Sequence, residues 1–226
     1  MNYVIAMIVA MIGTCLSYAT LDIDVVRKIR WFDVKSEDER NDIRFEKRKI
    51  YVLCVVNFIV TLICSINILL NNSEILNICK MQITLLILVG SANFDFREQR
   101  IPNIFPLVLS ICAMAGLVIG VVIGQEGAVA YITSSVFACV GCAVCLTVAT
   151  FLTKQGIGAG DIKLLSSLAL MGGVYLTCGV LFFSLVVCFL VAVILLITKK
   201  ETLKSTVPFA PFILIGFVIS ILISMY

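Results

Sequence analysis

Asp95 and Asp161 are the two carboxylates whose surroundings invite chemistry. Asp95 ends an apolar run in Gly90-Ser91-Ala92-Asn93-Phe94-Asp95-Phe96, and Asp161 opens one in Gly156-Ile157-Gly158-Ala159-Gly160-Asp161-Ile162-Lys163. Of the 14 acidic residues, the others crowd into the polar segment 21–50 or sit in short connections (Glu74, Glu126) or beside basic residues (Glu98, Glu201). An ionisable group at membrane depth is costly and marks function by default. Two carboxylates that meet can share one proton, one acting as base toward water and the other as acid toward a scissile carbonyl. Like charges a few ångströms apart do not both ionise cheaply, so such a pair keeps its proton. This is the chemistry of aspartic hydrolysis, and it requires that the two side chains meet. Each also has a structural reading: Asp161 before Ile-Lys-Leu-Leu is a good helix N-cap, and Asp95 at a helix end can face interfacial water. Gly156, Gly158 and Gly160 allow close backbone approach and unusual dihedrals, or simply a flexible connection. Ile101-Pro102-Asn103 starts the following helix, because proline fixes its own φ and biases the residue before it away from helix.

The elements that must position these residues are membrane helices. A chain of 226 residues that is 61% hydrophobic and 14% charged cannot present an ordinary solvated surface. Apolar runs long enough for a bilayer of about 30 Å occupy 3–20, 51–70, 80–95, 103–123, 128–152, 174–198 and 207–226, with a shorter run at 162–172. The expected fold is therefore an all-α, polytopic transmembrane bundle of about eight spans, one of them short. The first run lacks a basic stretch before it, so it reads as a retained helix rather than a signal peptide. Lys and Arg collect on the cytoplasmic side of membrane proteins. With eight spans and an outside N-terminus, every one of the 17 basic residues except Lys80 falls inside, whereas seven spans would misplace Lys199, Lys200 and Lys204. Both aspartates then lie at the cytoplasmic edge. The chain divides into a two-span region, 1–79, carrying the charged loop 21–50, and a six-span core, 80–226. Trp31 and Phe32 can anchor that loop at the interface.

Most of the ten cysteines lie inside apolar spans and read as packing residues. Cys139, Cys142 and Cys145 repeat every third residue on one face of their span, but zinc would need a fourth ligand, and the chain has no histidine. The expected metal set is none.

Taken together, these residues resemble the type IV prepilin peptidases, a family of GxGD-type membrane aspartyl proteases. The resemblance rests on Asp95, five intervening residues and Ile101-Pro102-Asn103, followed by Gly158-Ala159-Gly160-Asp161. Ile162-Lys163-Leu164 and Val207-Pro208-Phe209-Ala210-Pro211-Phe212 extend it, and it covers 80–226 well. It implies an endopeptidase that removes a short basic leader from prepilin or pseudopilin precursors at the cytoplasmic face, with Asp95 and Asp161 as the catalytic pair. Gly158 and Gly160 would shape the approach of the second aspartate, and Pro102 and Asn103 would set the start of the next span. No cofactor is expected for proteolysis and no nucleic acid as partner; the substrate and the lipid bilayer are the partners implied. Bifunctional members also methylate the new N-terminus with S-adenosylmethionine and carry paired Cys-x-x-Cys motifs after span one. Loop 21–50 has no cysteine, which argues against a zinc-bound methyltransferase module and leaves methylation open. Presenilin-like proteases are similar in the second motif, but Ile-Pro-Asn favours the prepilin peptidases. Two other classes compete: a proton- or cation-coupled transporter binding at the aspartates, and a non-catalytic pilus or secretion assembly factor in which both are caps. The first expects a site near the midplane, and the second expects asparagine to serve equally well.

Overall fold

The computed structural model describes residues 75–125, 127–152, 158–197 and 208–223. The expected spans 3–20 and 51–70, loop 21–50, Glu74, Glu126, Gly156, and the basic residues 154 and 199–204 lie outside these residues, as do the side chains of Arg97 and Glu98.

Every regular element among the described residues is α-helical: α1 Ile75–Glu98, α2 Ile104–Val122, α3 Ala128–Leu152, α4 Ala159–Ile197 and α5 Ala210–Leu222. The first four are long and apolar enough to cross a membrane. Their outward side chains are also apolar, including Leu107, Ile111 and Met114 on α2, Phe137 and Val144 on α3, and Phe182 and Phe189 on α4. Such a continuous apolar exterior suits hydrocarbon rather than water.

Helix α1 already includes Ile75 to Cys79, ahead of the expected start at 80, because Lys80 does not end the apolar segment. Its side chain is buried, its ammonium lies 4.5 Å from the centroid of the Tyr131 ring, and its stem runs over Gly116, where a Cβ would meet Lys80 Cε at 2.9 Å. α1 ends where Gln99 takes a left-handed φ of 50° and donates its N–H to the Asp95 carbonyl. The chain then turns into α2, which packs back on α1 because Gly90 leaves room for Phe105: a Cβ there would lie 2.8 Å from Phe105 Cε1.

The sequence expectation of a short run, 162–172, followed by a long one, 174–198, corresponds to α4, a helix broken at Gly173 (φ 71, ψ −172). The break is a reversal. Asp161 lies twelve residues before Gly173 and Ser184 eleven after it, about 18 and 16 Å along a helix. A helix continuing past Gly173 would carry Ser184 far beyond the bundle. Instead Val180 and Ser184 touch Gly216 of α5, only about 9 Å along α5 from Ala210, whose N–H bonds Asp95. The second half of α4 therefore descends beside the first. At the apex, Tyr131 Oη donates to the Met171 carbonyl, and Ser134 Oγ accepts the Val174 N–H at 3.2 Å, so helix α3 satisfies groups that the break exposes.

A side chain at Gly173 would be strained twice. Its dihedrals lie where essentially only glycine is found, and a Cβ would come within 3.0 Å of Ser134 Oγ. Gly173→Ala is expected to cost about 1–3 kcal/mol, read as a lowered thermal midpoint in detergent; an unchanged midpoint would contradict the hairpin.

Candidate active site

One end of the bundle gathers the C-terminal end of α1, the start of α2, and the N-termini of α4 and α5. The sequence explains the convergence locally. Ile101 packs against Gly160, where a Cβ would meet Ile101 Cβ at 3.0 Å and its carbonyl at 3.5 Å. The Pro102 carbonyl accepts the Phe105 N–H at 3.2 Å, opening α2. Asn103 occupies the N-cap position of α2, yet its side chain makes no cap bond. Its Oδ1 instead accepts from Lys163 Nζ at 3.0 Å, tying the start of α2 to the first turn of α4. Deeper in, Ser167 Oγ lies 2.9 Å from Ser110 Oγ and donates to the Pro106 carbonyl at 2.9 Å, a second seam between the same helices.

Asp161 is not the N-cap that its place before Ile-Lys-Leu-Leu suggests. α4 begins at Ala159, and the Gly158 carbonyl already accepts from Asp161 N and Ile162 N. Asp161 is thus the third helical residue, and its carboxylate reaches back to the Gly158 N–H as the acidic member of a capping box does. A Cβ on Gly158 would lie 2.9 Å from Asp161 Oδ2, which is why glycine stands there. Neither Gly158 nor Gly160 has a positive φ, so close approach and not an unusual dihedral accounts for both. The second oxygen, Oδ1, is buried without a hydrogen-bond partner among the described residues. An orphan of this kind marks a place where a proton, water or substrate would bind.

Asp95 does not face interfacial water either. It is 6% exposed, and its Oδ2 accepts the Ala210 N–H at 2.9 Å, 115 residues away in sequence. The Phe209 N–H donates to the same carboxylate. Asp95 therefore caps α5 from the end of α1. It also lies near enough to Asp161 for the two charges to interact, although α1 and α4 share little surface. Sequence reasoning missed the Phe209 and Ala210 amides. A signal was present: Pro208 and Pro211 have no N–H, so the two residues between them carry the only donors of that turn.

Cys139, Cys142 and Cys145 neighbour one another along one side of α3, but they do not face the same surroundings. Three-residue steps on a helix drift by about 60° each, and accordingly Cys142 is buried while Cys145 is exposed. Among the described residues no three Cys, Asp or Glu side chains are grouped to hold a metal.

Compared with known families, residues 82–225 match the model described as the type IV leader peptidase family. Searches of curated proteins and of solved structures returned no match.

Proposed function

We propose that this chain, which belongs to the type IV leader peptidase family and is an aspartic endopeptidase of the membrane, removes basic leaders from prepilin or pseudopilin precursors at the cytoplasmic face, with Asp95 and Asp161 as its catalytic pair. The observation that carries this reading is the convergence of both carboxylates at one end of the bundle, with Asp161 Oδ1 buried and without a hydrogen-bond partner among the described residues.

In this mechanism the pair holds one proton. The ionised carboxylate takes a proton from water as the water oxygen attacks the scissile carbonyl, and the protonated one gives its proton to the carbonyl oxygen. The tetrahedral intermediate collapses when its C–N bond breaks: the leaving amine takes a proton from the pair, and a hydroxyl of the intermediate gives one back as it becomes the C=O of the new carboxyl group. The water's atoms end on the leader's new carboxylate and the amine, and the pair returns to one proton. Such hydrolysis needs no cofactor.

The cytoplasmic placement is supported by charge. Arg100 and Lys163 are exposed at the aspartate end, whereas Lys80 is buried at the opposite one. The eight-span topology and the division at 79/80 belong to the same proposal. A basic leader is not drawn by Arg100 and Lys163, so Glu98 and the acids of loop 21–50 are its proposed contacts.

The test is cleavage of a synthetic peptide with a basic leader ending in glycine before an apolar helix, read by mass spectrometry. A single cut after that glycine, lost when the leader's basic residues become acidic, is the expected result. Cutting that ignores leader charge would remove the prepilin-type assignment. Adding S-adenosylmethionine in the same experiment decides methylation, by a gain of one methyl group on the new N-terminus.

A further inference from the structure

The N-terminus of α5 accounts for its own donors without remainder. A helix start leaves its first N–H groups without intrahelical partners, and buried ones must be satisfied elsewhere. Pro211 has no N–H. The N–H groups of Phe212 and Ile213 both reach the Phe209 carbonyl, at 3.0 and 3.2 Å. Those of Phe209 and Ala210 both go to the Asp95 carboxylate. Phe209, the N-cap residue, offers no side-chain cap. Asp95 is thus held by two amides whose backbone is stiffened by proline on either side.

The height of this pair of amides is also fixed. At Gly216, six residues along α5, a Cβ would collide with Ser184 Oγ and lie 2.7 Å from the Val180 carbonyl and 2.8 Å from Ser184 N, so α5 lies directly on the second half of α4. That half is joined through Gly173 to the half that begins with Asp161. One continuous route therefore links the two carboxylates: Asp161, the α4 hairpin, Gly216, the α5 amides and Asp95.

We propose that the backbone N–H groups of Phe209 and Ala210 position the catalytic pair, holding the Asp95 carboxylate, Ala210 through Oδ2, in one rotation toward water and the shared proton. The clamp rests on the reading of Asp95 and Asp161 as that pair. Phe209 and Ala210 are positioning residues: their amides touch Asp95 and not the reacting atoms. An unclamped carboxylate would sample rotations about its terminal bond, which is broad and roughly two-fold, and small misplacements at a reacting centre are costly.

The experiment exchanges the amide for an ester at one position, which replaces N–H by oxygen and leaves the side chain in place. Phenyllactic acid is introduced at 209 and lactic acid at 210, with the hydroxy acid of valine at 218 as a control inside α5. The three proteins are made in nanodiscs and assayed on the basic-leader peptide beside wild type and Asp95→Asn. The clamp predicts that kcat falls about tenfold or more at 209 and at 210, with KM within about twofold and the Val218 ester near wild type, as expected for loss of a hydrogen bond to a charged group. Two sites are used so that either folded ester carries the test. If both match the Val218 control, or if the loss lies in KM with kcat unchanged, the clamp is wrong while the catalytic pair stands. If Asp95→Asn still cleaves, the pair itself is wrong.

Discussion

Asp161→Asn is expected to leave the protein folded and to remove its activity. Asparagine keeps a side-chain oxygen that can accept the Gly158 N–H, so the start of α4 and its packing of Gly160 against Ile101 should survive. The cost in stability is about 1 kcal/mol, the size of the favourable interaction between a carboxylate in the first turn and the helix N-terminus. The chemistry cannot survive, because an amide neither shares a proton with Asp95 nor passes one to a carbonyl oxygen. Loss of general acid–base function predicts a fall in cleavage of about 10³-fold or more, measured by product mass at matched amounts of monodisperse protein. A folded Asp161→Asn with substantial cleavage would mean that the carboxylate is only a helix-start residue.

Gly216→Val should nearly abolish activity from outside the site. The nearest obstacles to a Cβ include backbone, Val180 O at 2.7 Å and Ser184 N at 2.8 Å, neither of which can swing aside as a side-chain tip can. Valine therefore pushes α5 away from α4. Overpacking of this kind costs about 1–3 kcal/mol, and the shift withdraws the Ala210 N–H from Asp95. A displacement of about 1 Å at a reacting group can cost roughly 10²-fold in rate. Thermal unfolding and cleavage should both fall, the second far more than stability alone explains at a temperature where the variant is folded. Wild-type cleavage in Gly216→Val would break the proposed route between the carboxylates.

Much of the core was legible because membrane helices are written in long apolar runs. The expected span 128–152 coincides with α3, set off by Gly124 and Gly127, both at positive φ in the connection before it. The reversal at Gly173 was legible as a gap between two apolar runs. The start of α1 was misplaced because a lysine reads as an exposed end, whereas Lys80 lays its stem on Gly116 and its charge over Tyr131. The start of α4 was placed three residues late because Gly158-Ala159-Gly160 has weak helix propensity, which packing against Ile101 overrides. The partners of Asp95 were the least legible feature. They are backbone amides 115 and 114 residues away, marked only by the prolines on either side of them, which give no hint of the acceptor. The partner of Asn103 was hidden for a related reason: its place at the start of α2 gives no sign of Lys163, which tertiary packing brings to its side chain.

The central claim is that Asp95 and Asp161 act as one catalytic unit, and the residual rates of Asp95→Asn, Asp161→Asn and the double variant on the basic-leader peptide test it most directly. Groups that work as a unit are strongly non-additive, so the double variant should be about as slow as either single one. Wild-type activity in either single variant, or losses that multiply in the double, would contradict it.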